Sequence, residues 1–450
     1  MRCERIKTII SKKEMINMMF QKDIETLPRK KIEEIQLERL KQTVKYCYDN
    51  VPLYNKRLTE CGIGDGSKIK TLSDIEYIPF TTKDDFRDNY PFGLMAAPMK
   101  DIVRIHASSG TTGKPTVGVY TKDDIKLWAD CVSRVAVAGG VTADDIIQIS
   151  FGYGLFTGAL GLHYGLENLG ATVIPASSGN TEKQLMMMRD YGVTGLVATP
   201  SYALYLSESV KEAGYPLSDY KLRLGILGSE PCTPAMRSQI ESNFNIRVSD
   251  NYGMTELGGP GVSGDCIARN GMHFAEDHFL PEIIDTETGK RLPEGEVGEL
   301  VITTLTRRGM PVLRYRTKDI TKITYEPCPC GRTHARMAKT MGRTDDMLII
   351  KGVNVFPTQI ENILINIKDI APHYMLVITR EHFKDNLEIK VELDNADLLE
   401  NYQRLSDLKK HIEAKMQSIL GLRTKVTLVA PKTIERFQGK AKRIVDLRNQ

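Results

Sequence analysis

The sequence predicts an α/β fold with a large N-terminal domain and a small α+β domain at the C-terminus. Between residues 121 and 249, apolar runs of strand length alternate with longer amphipathic runs, the pattern of strand–helix–strand units. From about residue 271 short strands and turns replace the helices, and beyond residue 346 helices and strands mix again. We therefore expect mostly parallel strands covered by helices on both faces, then a β-rich subdomain, then a separate small domain.

Composition narrows the functional class before any motif is considered. The 450 residues are too many for one ordinary domain, and 41% hydrophobic with 26% charged residues is typical of a soluble globular protein. A net charge of +4, without a basic stripe interleaved with aromatics, argues against a nucleic-acid-binding protein. We expect no membrane span and no secretory signal. Eight scattered cysteines then indicate a reducing cytoplasm, with room for one metal site.

The first predicted elements are two helices. A helix over residues 31–50 follows from apolar side chains at helical spacing, namely Leu37, Leu40, Val44, Cys47 and Tyr48. Residues 79–82 cap the second helix, which carries Lys83, Asp84 and Asp85 in its first turn.

Alternating elements follow as far as residue 249. The predicted helices are 121–138, 158–169, 181–191, 202–213 and 233–244. The predicted strands are 146–151, 171–175, 193–198, 222–227 and 246–249.

The C-terminal residues read as a domain of their own. Predicted strands are 347–350, 374–379, 387–393 and 425–429, and predicted helices are 357–367 and 405–420. A cluster of glycine and charged residues at 342–346 marks the boundary. The expected division is therefore 1–341, a hinge at 342–346, and 347–450.

The most biased stretch is a short loop sequence rich in hydroxyls, glycine and lysine. It consists of Ser108, Ser109, Gly110, Thr111, Thr112, Gly113 and Lys114. Glycine permits close approach of the main chain, while hydroxyls and a lysine supply donors and charge for a polyanion such as a nucleotide triphosphate. It is not a Walker loop, because its glycines are too close together and Pro115 replaces the hydroxyl residue that binds magnesium. The alternative is a flexible surface loop.

Two further stretches follow neighbouring predicted strands. The first is Gly228, Ser229, Glu230 and Pro231, and the second is Asn251, Tyr252, Gly253, Met254, Thr255 and Glu256. Because ligands bind at the carboxyl ends of parallel strands, we expect these stretches to lie side by side. The second offers an aromatic face for a purine, a hydroxyl and a carboxylate. Each stretch alone is compatible with an ordinary strand-to-helix turn.

Three charged segments nearer the C-terminus are weaker signals. Asp319 lies in a charged stretch, 314–319, that is compatible with a solvated edge strand. Arg343 and Asp345 lie in the boundary cluster, which is compatible with an ordinary interdomain turn. Lys440 lies in a glycine-marked basic segment, 438–443, that is compatible with a basic tail.

An aromatic stretch is the candidate pocket for an apolar substrate. Phe151, Tyr153 and Phe156 are separated by glycines that leave room beside the rings, which suits a flat apolar molecule. Ordinary core packing is the alternative.

Cys328 and Cys330 place two thiols around a turn. Tetrahedral zinc needs two further ligands, and the β-rich region offers Cys266, His273 and His278. One intervening residue is tighter than the usual spacing of zinc ligands, so a pair of free thiols is the alternative.

Several of these motifs carry a resemblance to one family. The stretch Ser108–Pro115 resembles the phosphate loop of adenylate-forming enzymes, which include acyl-CoA synthetases and the adenylation domains of peptide synthetases. The run Lys351–Pro357 is similar to the corresponding segment of the phenylacetate–CoA ligase branch. The resemblance extends from about residue 24 to the end, and implies a C-terminal domain that moves.

The resemblance implies roles for the nucleotide motifs. The loop 108–114 would hold phosphates, Tyr252 and the main chain of 228–231 would hold adenine, and Thr255 would contact the α-phosphate and the substrate carboxylate. Glu256 would ligate magnesium, and Asp319 would bind the ribose diol.

It implies further roles for the C-terminal motifs and for the cysteines. Lys440 matches the catalytic lysine, Arg343 the arginine that approaches the nucleotide, and Asp345 the pivot of the hinge. Some members of the branch carry a zinc site. The segment around His278 resembles members without the cysteine pair, so the resemblance favours Cys266 and His273 as partners of Cys328 and Cys330.

The expected function is therefore that of an ATP-dependent ligase. It would activate an aryl acetate, with phenylacetate as the first guess, and transfer it to coenzyme A, releasing AMP and pyrophosphate. The branch commonly carries tyrosine where Phe151 stands, which removes one ring hydroxyl from the pocket. The alternatives are an adenylyltransferase acting on a deazaflavin coenzyme and a non-catalytic protein that binds nucleotide and zinc. The sequence leaves open whether two copies form a homodimer.

Overall fold

The computed structural model describes residues 18–108, 114–346, 348–350, 353–381, 384–437 and 441–448. The chain divides into two compact units. The first takes in the residues up to Ala198 together with Ser218–Ser229 and Arg247–Lys339, and the second takes in Thr199–Leu217, Glu230–Ile246 and the residues from Thr340 onward. The division into 1–341, 342–346 and 347–450 stays a prediction. No helix in the described ranges combines the length and the hydropathy that a membrane crossing requires.

The described residues of the first unit form seven α-helices, and all but the first and the third lie where the sequence predicts a helix. They are α1 (Lys22–Glu25), α2 (Arg29–Asn50), α3 (Pro52–Glu60), α4 (Lys83–Asp88), α5 (Lys122–Ala138), α6 (Thr157–Leu169) and α7 (Thr181–Asp190). Local chemistry explains where α5 begins. The Thr121 hydroxyl accepts a hydrogen bond from the amide of Asp124, whose carboxylate accepts one from the Thr121 amide in return.

The first unit is built on a nine-stranded sheet. Its strands are β3 (Ile146–Ile149), β4 (Thr172–Ile174), β5 (Gly195–Ala198), β6 (Leu224–Gly228), β7 (Arg247–Met254), β8 (Gly259–Asp265), β9 (Met272–Phe274), β13 (Ile323–Thr324) and β14 (Arg336–Met337). The spatial order is β13-β14-β9-β8-β7-β6-β5-β3-β4.

Only one half of this sheet is parallel. Strands β4, β3, β5, β6 and β7 pair in parallel, whereas β7-β8, β8-β9, β9-β14 and β14-β13 are antiparallel. The change occurs because only the residues 255–258 join β7 to β8, and a parallel crossover needs a dozen or more. The β-rich texture after residue 271 is thus partly an extension of the main sheet.

Two smaller antiparallel sheets complete the first unit. One is a hairpin of β1 (Ile102–Ala107) and β2 (Val117–Thr121). The other contains β10 (Phe279–Ile284), β11 (Gly298–Thr304) and β12 (Tyr315–Thr321). Apolar side chains fill the space between these sheets and α2, whose Leu40, Val44 and Cys47 are fully buried as the helical spacing predicts.

In the residues that the structure describes, the second unit combines four α-helices with its own mixed sheet. The helices are α8 (Pro200–Glu212), α9 (Pro234–Phe244), α10 (Pro357–Leu364) and α11 (Tyr402–Leu420), and the short strands are β15 (Gly342–Arg343), β16 (Leu348–Ile350) and β17 (Val353–Val355). The sheet has the order β20-β19-β18-β21, from β18 (Ile370–Glu381), β19 (Lys384–Leu393), β20 (Lys425–Val429) and β21 (Ile444–Asp446). Ile360, Leu376, Ile389, Ile412 and Met416 form the centre of its core.

The α/β fold class and the α+β character of the described C-terminal residues are confirmed. Two predicted strands are longer in the structure, because β7 continues to Met254 and β18 runs from Ile370 to Glu381.

Candidate active site and metal cluster

The candidate phosphate loop, residues 108–114, connects β1 to β2 in the sequence. The amide of Ser108 donates to the carbonyl of Thr116 (2.9 Å), and the amide of Thr116 donates to the Ser108 hydroxyl (2.9 Å). These bonds close the loop at its base. The Lys114 ammonium lies 5.5 Å from the centre of the Tyr90 ring. Ser109, Gly110, Thr111, Thr112 and Gly113 lie outside the described residues.

The two predicted turn motifs are neighbours. Gly228 ends β6 and pairs with Asn251 on β7, where a Cβ at Gly228 would lie 2.6 Å from the Asn251 carbonyl oxygen. Ser229 then adopts a left-handed conformation, with φ of 74°. The juxtaposition follows from the parallel pairing of β6 and β7, as the sequence predicts.

The second motif lies within β7 instead of following it. Asn251, Tyr252 and Gly253 belong to the strand, and Thr255 and Glu256 form the 3₁₀ turn that ends at Leu257. Gly253 has to be glycine, because a Cβ there would lie 1.9 Å from the carbonyl oxygen of Gly259. Both Thr255 and Glu256 are buried.

Arg307 joins this turn to the hairpin of β1 and β2, which flanks the candidate phosphate loop. Its guanidinium donates to the Glu256 carbonyl (2.7 Å) and to the Val119 carbonyl on β2 (3.4 Å), and it stacks on the Tyr120 ring at 4.9 Å. The turn and β2 also touch directly, since a Cβ at Gly118 would lie 3.2 Å from the Thr255 carbonyl oxygen. The sequence contains no motif that identifies Arg307.

Tyr252 and Asp319 form the other fixed pair of the site. The Tyr252 hydroxyl donates a hydrogen bond of 2.7 Å to the Asp319 carboxylate, which is buried on β12. The bond holds the Tyr252 ring next to the Asp319 carboxylate. An aromatic face beside a carboxylate acceptor is what a site for adenine and its ribose requires.

The end of β1 is tied to the aromatic stretch 151–156. The Leu155 carbonyl accepts hydrogen bonds from the Ala107 amide and from Nδ1 of His106, both at 2.9 Å. Burial lowers the pKa of His106, so the imidazole is neutral and its Nδ1 carries the proton that it donates. His106 lies just before the candidate phosphate loop, and no sequence motif assigns it a role.

The three candidate pocket aromatics have different surroundings. Phe151 and Tyr153 pack in one apolar cluster, whereas Phe156 precedes α6 and is 50% exposed. The Tyr153 hydroxyl lies 3.0 Å from Nδ1 of His163, and Nε2 of His163 lies 3.0 Å from Glu167. This series of side-chain contacts fixes the orientation of the Tyr153 ring, and burial raises the pKa of its phenol.

The second unit holds the described residues of the hinge motif, together with Glu230 and Pro231. Arg343 and Asp345 form a two-point ion pair, with distances of 2.9 Å and 3.1 Å. Glu230 accepts a hydrogen bond from the Ser201 amide (2.6 Å), and Pro231 follows it. Lys440 lies outside the described residues.

Four side chains of the first unit converge on one point. The ligand atoms of Cys266, His273, Cys328 and Cys330 all lie within 4.8 Å of one another, and all four residues are buried. The Cys266 and Cys328 sulfurs are 3.7 Å apart, and the Cys330 sulfur is 3.4 Å from Nε2 of His273. These match the edges of a tetrahedron around zinc, about 3.8 Å for two sulfurs and about 3.6 Å for sulfur and nitrogen.

The surroundings of the cluster suit a bound cation. Nδ1 of His273 lies 3.2 Å from the His334 carbonyl, to which it can donate, leaving the Nε2 lone pair directed at the cluster. Hydrogen bonds from Cys266 and Cys328 lower the pKa of the Cys330 thiol, which favours a thiolate. His278 stands apart, hydrogen-bonded to Thr306 and paired with Asp277.

The loop beyond Cys330 also holds the first described residues of the chain. Arg332 donates to the Glu25 carboxylate (2.5 Å) and to the Met18 carbonyl (2.7 Å), and the Thr333 hydroxyl donates to the Leu27 carbonyl (2.6 Å). A buried ion pair and main-chain hydrogen bonds therefore fix this segment beside the cysteine cluster, a contact that no sequence motif predicts.

Comparison with known proteins is consistent with this geometry. Residues 4–306 match the family model of the AMP-binding enzyme, and residues 352–448 match that of the AMP-binding enzyme C-terminal domain. A phenylacetate-coenzyme A ligase of Thermus thermophilus is 47% identical over 445 residues, 96% of this chain and 100% of the relative. A phenylacetate-coenzyme A ligase of Escherichia coli is 45% identical, with 95% and 97% covered.

A solved structure supports the same assignment. The 2-hydroxyisobutyryl-CoA ligase in its postadenylation state, in complex with an acyl-AMP named R3-HIB-AMP, superposes with a TM-score of 0.88 at 28% identity. The match covers 94% of this chain and 91% of that one. Two family models and full-length relatives thus agree with the motifs, and the chain belongs to the phenylacetate–CoA ligase branch of the adenylate-forming superfamily.

Proposed function

We propose that the protein is an ATP-dependent acid–thiol ligase that activates an aryl acetate as its acyl-adenylate and transfers the acyl group to coenzyme A. The observation that carries the proposal is the fastening of the Thr255–Glu256 turn to the phosphate-loop hairpin by Arg307. It brings a hydroxyl and a carboxylate up to the base of a loop suited to phosphates. The relatives named phenylacetate-coenzyme A ligase support phenylacetate as the acid to test first.

The nucleotide would occupy the ends of β6, β7 and β12. Residues 108–114 bind the phosphates, Tyr252 and the main chain of 228–231 bind adenine, and Asn251 and Gly253 shape the strand beneath it. Asp319 accepts both hydroxyls of the ribose, because a carboxylate offers several acceptor positions. Arg343 approaches the nucleotide once it leaves Asp345.

In the first step the substrate carboxylate attacks the α-phosphorus of ATP and pyrophosphate leaves. Two anions meet, so cationic and donor groups that stabilise the shifting charge lower the barrier. Lys440 bridges the two anions, and Thr255 donates to the α-phosphate. Glu256 is the residue that would hold magnesium, a hard cation that prefers carboxylate oxygens and neutralises phosphate charge when bound.

In the second step the thiol of coenzyme A attacks the acyl carbon and AMP leaves. The two steps need different residues at one site. We propose that the domain 347–450 turns about the hinge 342–346, with Asp345 as its pivot, relative to the domain 1–341. The turn removes Lys440 and brings in the segment 351–356.

The acyl group would lie beside the stretch 151–156. Phe151 and Tyr153 offer aromatic faces, and the Tyr153 hydroxyl is already engaged by His163. An apolar aryl group therefore suits the pocket better than one that needs a hydrogen bond from Tyr153. Phe156 flanks the entrance.

We further propose a structural zinc ion held by Cys266, His273, Cys328 and Cys330. Four protein ligands leave no coordination position for substrate, which is typical of a structural site. Its role would be to stabilise the loop that holds residues 18–27. We place the enzyme in the cytoplasm, acting on small molecules with no nucleic-acid partner and no membrane.

The test is pyrophosphate release with ATP and magnesium across a panel of acids: phenylacetate, hydroxyphenylacetate, indoleacetate, benzoate and short fatty acids. Each acid is assayed with and without coenzyme A, and reactions without acid are the control. We expect release that depends on an aryl acetate, and a thioester only when coenzyme A is present.

Other outcomes identify the alternatives. Pyrophosphate release that requires a phosphorylated deazaflavin instead of a carboxylic acid would indicate an adenylyltransferase. Binding of ATP with no release for any substrate would indicate a non-catalytic protein that binds nucleotide and zinc.

A further inference from the structure

One face of α8 carries contacts to the C-terminal residues within the second unit. Ser201, Glu208 and Glu212 lie on this face, since residues three or four apart, or multiples of that, share one side of a helix. Ser201 accepts from the Arg443 guanidinium (3.3 Å), Glu208 pairs with His373 (3.2 Å), and Glu212 pairs with Lys432 (2.9 Å). Leu204 and Tyr205 line the crevice between these contacts, together with Pro372, Tyr374 and Phe437.

Glu230, which lies between β6 and α9, makes a further link between α8 and the C-terminal residues. One carboxylate oxygen accepts from the Ser201 amide in the first turn of α8 (2.6 Å), and the other accepts from the Ala441 amide (3.2 Å). Burial raises the pKa of Glu230, whereas the charge of Arg443 and the two amides favour the ionised form. A single side chain thus links residue 201 to residue 441.

Arg443 is itself rigidly held. Its guanidinium bonds to the Glu361 carboxylate and to the Tyr374 hydroxyl (3.1 Å), and it lies 4.8 Å from the centre of the Tyr374 ring. The Tyr374 hydroxyl donates to the same carboxylate (3.1 Å). Because Glu361 lies on α10 and Tyr374 on β18, Arg443 links these two elements to Ser201 on α8.

These contacts bear on Lys440 through covalent geometry. Ala441 directly follows Lys440, and consecutive α-carbons are about 3.8 Å apart. The bond from Glu230 therefore fixes the described residue to which Lys440 is covalently joined. In the proposed nucleotide site, Glu230 belongs to a stretch whose main chain binds adenine. Its side chain is therefore free of that role and can hold the Ala441 amide.

We propose that Glu230 is a positioning residue for adenylation: its carboxylate holds the main chain of Ala441, the residue that directly follows Lys440, at the first turn of α8 while the acyl-adenylate forms. The inference rests on the proposed function, because it concerns the first of two half-reactions. Glu208 supports the same arrangement through His373. Lys440 takes no part in the proposed thioester step, so loss of these contacts is expected to leave the rate of that step unchanged.

The test separates the two half-reactions in Glu230→Gln, which keeps the size of the side chain but loses its charge and one acceptor. Adenylation is measured as phenylacetate-dependent exchange of labelled pyrophosphate into ATP, and thioester formation from synthetic phenylacetyl-adenylate and coenzyme A. We expect kcat for exchange to fall about tenfold, with KM for ATP and the rate of thioester formation changed by less than about twofold. Glu208→Gln is expected to give the same pattern, with a fall of about threefold.

Glu212→Gln is the matched control, because its ion pair lies on the same helix but is largely exposed and contributes little. An unchanged exchange rate in Glu230→Gln would overturn the proposal, as would a rise in KM for ATP alone or an equal loss in both half-reactions. If Glu230→Gln fails to fold, Glu208→Gln decides by the same criteria. Absence of exchange in the unmodified enzyme with every acid would instead contradict the proposed function.

Discussion

The phenol of Tyr252 donates a 2.7 Å hydrogen bond to the carboxylate of Asp319, across 67 residues of chain. The bond joins β7 of the nine-stranded sheet to β12 of the smaller antiparallel sheet. The aromatic face and the acidic group of the proposed nucleotide site are therefore positioned by one another before any ligand binds. Such preorganisation lowers the cost of ordering side chains on binding.

Tyr252→Phe is expected to weaken ATP binding while leaving the ring in place. Loss of a hydrogen bond to a charged group corresponds to about 1.5 kcal/mol, which is about a tenfold rise in KM for ATP. The measurement is KM for ATP in pyrophosphate exchange, with the exposed Tyr77→Phe as control. An unchanged KM would mean that Asp319 does not depend on Tyr252 for its orientation.

Lys440→Ala is expected to abolish adenylation and to spare ATP binding. A group that stabilises charge mainly in the transition state contributes to kcat, and its loss corresponds to about 10²–10³-fold. Pyrophosphate exchange gives the rate, and calorimetric titration gives the affinity for ATP. Lys442→Ala, two residues further on, is the control and should keep the rate within about threefold. Loss of ATP affinity in Lys440→Ala would show that the lysine binds the ground state instead.

Much of the fold follows from local chemistry. Thr121 begins α5 through its reciprocal bonds with Asp124, and Thr233 with Pro234 begins α9, because a cap and a proline act within one turn. The antiparallel half of the main sheet and the full length of β18 depend on partner strands distant in the chain. A strand continues for as long as a neighbour supplies hydrogen bonds, and a single sequence does not record that neighbour.

Some residues of the candidate site could likewise be predicted from the sequence, and others could not. The adjacency of Gly228 and Asn251 follows from consecutive parallel strands, and the grouping of Cys266 and His273 with the cysteine pair agrees with the resemblance. Arg307 and the carboxylate of Glu230 were missed, because their partners lie 188 and 211 residues away. A lone charged residue in a sequence does not indicate which main-chain group it contacts.

Cys328→Ser is expected to release zinc and to lower the melting temperature. A hydroxyl is a much poorer zinc ligand than a thiolate, and loss of a structural metal removes free energy of folding. We expect a fall of about 5–10 °C and a metal content near zero, measured by thermal unfolding and elemental analysis of the purified protein. Cys61→Ser, a half-buried cysteine outside the cluster, is the control. An unmodified protein without metal would overturn the zinc proposal.

His278 is expected to lower the free energy of unfolding as the pH falls. Burial lowers its pKa to about 3, and Asp277 only partly opposes that effect. Nε2 lies 3.0 Å from the Asp277 carboxylate and Nδ1 lies 2.9 Å from the Thr306 hydroxyl, an arrangement that suits a neutral ring donating from Nε2.

The sign follows from proton linkage. Above the ordinary pKa of about 6.5, His278 is neutral in both the folded and the unfolded chain and contributes no slope. As the pH falls below that value, only the unfolded chain takes up the proton, so stability decreases by about 1.4 kcal/mol per pH unit and by about 2 kcal/mol at pH 5. His278→Gln cannot titrate and should therefore lose less stability between pH 7 and pH 5 than the unmodified protein, as measured by thermal unfolding of both. The other seven histidines are common to both proteins and cancel in the difference. Equal losses would mean that His278 takes up a proton in the folded state near its ordinary pKa.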